Sequence, residues 1–209
     1  YKGRKPVHWC LHCRTALAEA EVEYEDHTSP SIFVEFPLDP DSRARLDASW
    51  PQLAGLSTSV LIWTTTPWTI PSNLAIAFHP EYDYAAFACE GGAIIVATEM
   101  AAQVSARTGR SLGEALATFK SAELEGIRFR HPLYDRASVG VLADYVALEQ
   151  GTGAVHTAPG HGADDYRTGL KYGLDVYAPL DPGGRFTEEV GLFAGLQVFE
   201  ANPRVEEAL

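Results

Sequence analysis

The chain has 209 residues, 46% of them apolar and 21% charged, which is enough hydrophobic mass for one globular domain and excludes a disordered or fibrous chain. Sixteen basic residues against twenty-eight acidic ones give a net charge of -12, the wrong sign for a surface that grips a phosphate backbone unaided. Any nucleic-acid contact must therefore be local or assisted. Three cysteines (Cys10, Cys13 and Cys89) are too few for a disulfide scaffold, so a reducing compartment is expected. No apolar run approaches the roughly 18–20 residues of a membrane helix, and the first residues lack signal-peptide order. A soluble, cytoplasmic protein without a membrane partner is expected. The chain opens at Tyr1 and its only methionine is Met100, so it reads as a piece of something longer.

In chain order, alternation in Glu21–Glu25 and in Ile32–Phe36 predicts two strands of a first hairpin, turning at Thr28-Ser29-Pro30. Arg43–Trp50 is compatible with a short helix or a loop. Ser59–Thr65, rich in β-branched and aromatic residues, predicts a buried strand that runs into a stiff loop at Pro67. Tyr84–Cys89 and Ala93–Ala97 flank Glu90-Gly91-Gly92 and predict a second hairpin. Thr98–Thr108 and Ser111–Lys120 carry helix formers on either side of Gly109. Val139–Leu148 and Gly153–Thr157 predict late strands, and Ala163–Tyr172 a helix that stops before Gly173. Glu200–Leu209 is a helix or an exit linker. Strands outnumber helices and no βαβ rhythm is present, so the expected fold is mainly β, a closed β-barrel with peripheral α-helices. Residues 1–209 are expected to form a single domain, with linker-like ends at 1–14 and 200–209.

Two segments are poorly chosen for packing alone. The first runs from Trp63 to Asn73, where Thr64, Thr65, Thr66 and Thr69 among prolines present hydroxyls and backbone groups suited to a small polar ligand. A Thr-rich edge strand and turn would explain the same residues. The second runs from Gly151 to Tyr166. Its small residues let backbone approach a ligand, while His156, His161, Asp164 and Asp165 supply titratable groups at a helix entry. Acidic residues in a first turn also simply favour the helix dipole.

Adjacent carboxylates on a helix diverge by about 100° and cannot face each other as a glycosidase pair. Gly151-Thr152-Gly153 begins like a dinucleotide fingerprint, but His156 replaces the third glycine. Neither a nucleophile elbow nor a zinc-protease helix is present, which leaves water as the attacking group. Cys10-Leu11-His12-Cys13 has the spacing of half a zinc site, without a second pair. Cys10 and Cys13 are then either unpaired thiols or have partners beyond this chain. Cys89, in an apolar run, reads as a small buried hydrophobe.

Taken together and in this order, Thr-Thr-Thr-Pro-Trp-Thr-Ile-Pro-Ser-Asn (64–73) and Gly-Thr-Gly-Ala-Val-His-Thr-Ala-Pro-Gly-His-Gly-Ala-Asp-Asp-Tyr (151–166) resemble the editing domain of isoleucyl-tRNA synthetase. Residues 15–24 and 27–32 resemble it too, so the likeness covers nearly the whole chain; the valyl and leucyl enzymes are similar less closely. The resemblance implies an inserted β-barrel domain with peripheral helices, excised here from a longer synthetase. It implies hydrolysis of valine misattached to isoleucine tRNA, and of valyl-adenylate. A second site is needed because one missing methylene is worth only about 1–3 kcal/mol, a limit for which this synthetase is itself the usual illustration.

By the same resemblance, Asp165 would bind the substrate α-ammonium, and a carboxylate suits that role through charge-assisted hydrogen bonds. Asp164 would be a helix-start residue. Thr64, Thr65 and Thr66 would contact the adenosine and the aminoacyl ester, with Thr66 holding the water. His156, Trp68 and Thr69 would line a pocket that stops the extra methylene of isoleucine. Asp165, Thr66 and His156 are thus the expected catalytic residues, without a cofactor for editing. Zinc is implied for the full-length enzyme through Cys10 and Cys13, with no ordered metal in this piece; ATP and Mg belong to the parent synthetase alone. The implied partners are valyl-adenylate, the 3′ end of mischarged tRNA and the rest of the synthetase, around a monomer. A non-catalytic binding module for aminoacyl-adenosine is the alternative.

Overall fold

A computed structural model describes residues 5–209 of the chain; residues 1–4 of the expected N-terminal linker lie outside the described residues. In chain order the elements are β1 (His8–Cys10), β2 (Thr15–Leu17), β3 (Ile32–Pro37), α1 (Pro40–Ser49), β4 (Ser57–Thr64), β5 (Ala75–Phe78), β6 (Asp83–Cys89), β7 (Gly92–Ala97) and α2 (Ala101–Thr108). There follow β8 (Ala115–Lys120), α3 (Ser121–Leu124), β9 (Arg128–Arg130), β10 (Ala137–Leu142), β11 (Ala154–Thr157), α4 (Ala163–Tyr172) and α5 (Val198–Ala208). The chain divides into two compact units. The first comprises Tyr1–Ser31, Thr65–Ser72 and Ala158–Leu209, and the second Ile32–Thr64 and Asn73–Thr157. No helix among the described residues is long and apolar enough to cross a membrane.

The second unit holds two sheets, ordered β3-β4-β7-β6-β8 and β11-β5-β10-β9. Its core is aromatic and β-branched: Phe36, Ile62, Ile76, Phe78, Tyr84, Ile95, Phe119 and Phe129 are fully buried or nearly so, each contributing about 1.5–3 kcal/mol by leaving water. The Phe78 ring meets Tyr84 edge-on at 5.1 Å. The Tyr84 hydroxyl donates to the Gly153 carbonyl at 2.6 Å and accepts from the His79 N–H at 2.9 Å. Burial pushes this phenol well above its ordinary pKa, so it stays a hydrogen-bond donor, which ties the start of β11 to β6. Asn73 does the same for β5. Fully buried, its amide donates to Ala75 O at 2.8 Å, and its carbonyl accepts from the Ser138 hydroxyl on β10.

These sheets are open, and the expected closed β-barrel is corrected to a mixed α/β fold, 31% helical and 30% extended. Closure needs ladder pairing all the way round. Here, among the described residues, an isolated antiparallel bridge, Leu38 to Phe129, joins the two sheets in place of a continuous ladder. Two sheet neighbours, β4 with β7 and β5 with β10, run parallel, a pairing that requires crossover connections and leaves no mark in local alternation. The first hairpin is also corrected. Residues 22–31 form no strand, Tyr24 is 83% exposed, and β3 pairs instead with β4, Ile32 opposite Thr64. Within Ser111–Lys120, where helix formers predict a helix, Ala115–Lys120 is an edge strand in which Ala117 and Phe119 are buried while Thr118 and Lys120 face out. The second hairpin forms as expected, with Cys89 opposite Gly92, and the segment left open at Arg43–Trp50 is part of α1, capped by the Asp39 carboxylate.

In the first unit, β1 and β2 form a short antiparallel hairpin with Cys10 at the end of β1 and Cys13 in the turn. The Trp9 indole N–H donates to Pro182 O at 2.9 Å. Helix α5 buries Val198, Ala201 and Val205, a spacing that puts one face inward.

Gly140 shows how tightly the second unit is closed on itself. A Cβ there would lie 2.2 Å from the Leu124 carbonyl oxygen, and the Gly140 N–H donates to Ile127 O at 2.7 Å. Gly140→Ala should lower stability by roughly 3 kcal/mol through forced backbone displacement. Gly55→Ala, at φ +79 with open space around it, should cost only about 1 kcal/mol. Urea unfolding midpoints check this; equal small shifts would show that the Leu124 carbonyl yields freely.

Candidate functional site

Strand β4 ends at Thr64, buried opposite Ile32, and the next peptide bond carries the chain into the first unit. Pro67 has no N–H for a ladder, and Pro67–Ser72 winds instead into a 3-10 turn. Both the backbone N–H and the hydroxyl of Thr69 donate to Thr66 O, at 3.0 and 2.8 Å, and the Thr66 and Thr69 hydroxyl oxygens are 3.3 Å apart. Thr69 is thus buried and occupied with closing the turn, whereas Thr65 and Thr66 are exposed. Ser29 donates its hydroxyl to Thr65 O at 2.9 Å. The Trp68 N–H donates to Asn202 Oδ1 at 3.0 Å, so α5 clamps the turn from a point 134 residues further on.

The second segment begins in β11, where His156 lies opposite Ile76 and is buried, and the Thr157 hydroxyl is 3.2 Å from that of Tyr145. From Ala158 the chain belongs to the first unit. Its glycines are packing residues: a Cβ on Gly160 would lie 2.3 Å from Tyr177 O, and one on Gly169 would lie 2.7 Å from the Pro159 ring. The loop is therefore pressed between helix α4 and residues 177–178. Asp165, in the first turn of α4, accepts the Ala158 N–H on Oδ2 at 2.8 Å, which fixes the orientation of its carboxylate plane. Asp164 is exposed and pairs with Arg167, a solvent-screened ion pair worth little.

His161 brings the two segments together. Its backbone N–H donates to Ala158 O at 2.8 Å, its ring Nε2 lies 2.9 Å from the Ser72 hydroxyl, and its ring meets Trp68 edge-on at 5.1 Å. Burial lowers its pKa to about 4, so at neutral pH the ring is uncharged and has one donor and one acceptor nitrogen. Within the first unit, then, Thr65, Thr66, Trp68, Thr69 and Asp165 are held on two loops joined through one imidazole. Thr64 and His156 belong to the second unit as residues of β4 and β11. A groove of about 1140 Å³ in the first unit is lined by Trp9, Trp68, His161, Gly162, Leu180 and Phe199, but by neither Thr66 nor Asp165. Asn202, Ser72 and Asn73 acquire roles that sequence reading did not assign. For Asn202 nothing local signals its partner, while His161 was visible as a titratable group in a glycine-rich loop.

Cys10 ends β1, opposite Thr15, and Cys13 lies in the β1–β2 turn. The Cys13 N–H donates to Cys10 Sγ at 3.3 Å and lowers the Cys10 thiol pKa, while the neighbouring sulfur raises that of Cys13. Two thiols supply half of a tetrahedral zinc set, and no group of three or more His, Cys, Asp or Glu able to hold a metal occurs among the described residues. Cys89, half-buried beside Glu35, has its thiol pKa pushed up by burial.

Residues 1–201 match the family model of class I tRNA synthetases (I, L, M and V). The isoleucine–tRNA ligase of Nitratidesulfovibrio vulgaris (strain Miyazaki F) is 52% identical over 209 residues, and that of Geobacter sulfurreducens 51%; each match covers all of this chain and 22% of the relative. The chain thus spans about a fifth of the length of the curated relatives it matches. Among solved structures, the editing domain of the P. knowlesi cytosolic leucyl-tRNA synthetase aligns with a TM-score of 0.64 at 11% identity, over 89% of this chain and 96% of that one. The P. falciparum counterpart gives 0.57 at 10% identity, over 86% and 96%. The open-sheet fold is therefore shared with the leucyl-tRNA synthetase editing domains it aligns with, and the chain belongs to the class I tRNA synthetases, as a segment similar to isoleucine–tRNA ligases.

Proposed function

We propose that this chain is a hydrolytic proofreading domain that removes valine from mischarged isoleucine tRNA and cleaves valyl-adenylate, with bound water as the nucleophile and isoleucine excluded by size. The observation that carries this reading is identity of about one half to isoleucine–tRNA ligases across the whole chain, including both polar segments. In this reading Asp165 anchors the α-ammonium of the aminoacyl group. The support is an ionisable carboxylate oriented by the Ala158 N–H at the start of a helix, where one oxygen is held and the group cannot swing. Thr64, Thr65 and Thr66 contact the adenosine and ester, and the exposed hydroxyl of Thr66 orients the water. His156, Trp68 and Thr69 form the wall that rejects the longer side chain.

The neutral His161 holds the loops in register and does not shuttle the proton, because an imidazole with a pKa near 4 is a weak base at pH 7. Water activation is assigned to loop hydrogen bonds and a terminal ribose hydroxyl of the substrate. No cofactor is assigned to the hydrolysis. Cys10 and Cys13 are proposed as two of the ligands of a zinc site in the longer enzyme, and ATP and Mg act in its synthetic half. The reaction is placed in the cytoplasm, on a monomer whose tRNA is held mainly by the rest of the synthetase. The ends at 1–14 and 200–209 are proposed as the connections to that remainder.

A non-catalytic module that binds aminoacyl-adenosine differs in a single readout, product release. Asp165→Ala should lower deacylation of valyl-tRNA by about 10- to 100-fold, the equivalent of losing one charge-assisted bond of roughly 1.5–3 kcal/mol. Equal rates in variant and wild type would remove Asp165 from the site, and no valine release by either would leave only the binding module. His161 gives a second prediction. Its folded pKa lies below the unfolded value of about 6.5, so the unfolded chain binds the extra proton and stability falls as pH drops from about 6.5 towards 4. His161→Gln should lose less stability than wild type over that interval in thermal unfolding; parallel curves would show that the ring is not desolvated.

A further inference from the structure

The second unit carries fourteen acidic and eight basic residues, yet three of its arginines converge on one cavity of about 460 Å³, together with His131. Arg128 and Arg130 flank buried Phe129 on β9, so both side chains leave the same face of the strand, about 7 Å apart. Both are exposed, and neither forms an ion pair among the described residues. Arg136 reaches the cavity from the other arm of the same hairpin. The backbone bond from His131 N–H to Arg136 O holds the turn, and the Arg136 guanidinium lies over the Tyr134 ring at 5.1 Å. Two carboxylates also line the cavity. Asp39 is engaged as the cap of α1, accepting the Asp41 N–H at 3.0 Å, and Asp135 stands exposed at the turn.

Charged residues on an edge strand can serve only to block unwanted pairing. That purpose does not require Arg136, which lies outside β9, to meet the other two in a concavity. Arg110, by contrast with Arg128 and Arg130, is paired with a carboxylate, that of Glu35. Guanidinium forks in pairs are suited to phosphate oxygens, which accept two parallel N–H bonds, and the cavity has the size of an ordinary ligand site. We infer that the cavity of Arg128, Arg130 and Arg136 holds a backbone phosphodiester of RNA, a local cationic foothold for a strand on an otherwise acidic unit. The choice of RNA over free phosphate rests on the reading of the chain as acting on aminoacylated tRNA; none of the residues assigned to hydrolysis lines the cavity.

The test is titration of the chain with a deacylated RNA hairpin of acceptor-stem length, followed by fluorescence anisotropy between 25 and 200 mM KCl (roughly the range over which such contacts weaken). Binding by wild type should be weak but measurable at the low-salt end. Arg128→Gln/Arg130→Gln should weaken it by about 10-fold or more and flatten the dependence of log K on log salt by about 2, one for each lost phosphate contact. Arg110→Gln/Lys120→Gln removes the same charge from exposed ion pairs elsewhere in the unit and should leave both quantities nearly unchanged. Arg128→Lys/Arg130→Lys keeps the charge without the fork and should fall between. Equal weakening by the two Gln pairs, or no binding by wild type, overturns the site. Protection of the arginines by inorganic phosphate with no response to RNA overturns its assignment to a strand. Because the RNA carries no amino acid, neither result depends on ester hydrolysis, and failure of the proofreading reading would leave this binding intact.

Discussion

A single uncharged imidazole sets the relation between the two most distinctive stretches of the chain. His161 is desolvated, stands edge-on to Trp68 and shares a hydrogen bond with Ser72, so the Thr-rich turn and the loop leading to Asp165 move as one piece of the first unit. A charged ring in that place would need an anion that neither Ser72 nor Trp68 supplies. Neutrality is thus a structural requirement and, for the reaction, an exclusion: the titratable group nearest both loops is unavailable as a base at neutral pH. The hydrolysis proposed above would then depend on positioned water and fixed dipoles, chemistry in which loop geometry counts for more than the basicity of any side chain.

That geometry is secured by residues that do no chemistry. Thr69 gives its hydroxyl and its N–H to Thr66 O, Asn202 takes the Trp68 N–H, and Gly160 and Gly169 permit contacts too close for any Cβ. The polar composition of the two segments therefore has two sources. Thr69 and Asn73 bond buried backbone and Ser72 the His161 ring, as buried polar groups must, whereas Thr65 and Thr66 are exposed residues of a stiff turn, the Thr66 hydroxyl 3.3 Å from that of Thr69. A reading that treats every hydroxyl of the segment as a ligand contact overcounts, and one that treats it as a plain edge strand leaves Thr65 and Thr66 unexplained.

How much of this could be read without coordinates follows from the range of each interaction. The β6–β7 hairpin and the helix α4 with its glycine stop were legible because their signals, a two-residue turn and a C-terminal glycine, are local. The barrel expectation failed because sheet closure is a global property. The parallel pairs β4 with β7 and β5 with β10 join segments tens of residues apart, and alternation in one strand does not specify its neighbour. Glu21–Glu25 alternates as well as any strand but leaves Tyr24 exposed and Val22 only half-buried, and Ser111–Lys120 has good helix formers yet buries Ala117 and Phe119 at a spacing of two. In both places tertiary burial outweighed local propensity.

The site was legible as two sequences and illegible as an arrangement. Asp165 stood out through the resemblance carried by residues 151–166, since acids in a first turn can serve the helix dipole alone, and the two acids prove to be different: Asp164 faces solvent beside Arg167, while Asp165 is turned back onto the Ala158 N–H. Their roughly 100° separation around the helix, which rules out a paired-carboxylate mechanism, is what allows one to remain a surface charge and the other to be oriented. The arginine cavity of the second unit had no sequence signature, since Arg128, Arg130 and Arg136 are spread over nine residues with two acids in the wall around them. Only the β9–β10 hairpin, which folds residue 136 back beside residue 131, concentrates their charge. Net charge describes the average surface of a protein, and a chain at -12 retains room for a cationic site wherever a tight turn gathers a few guanidinium groups faster than sequence distance would suggest.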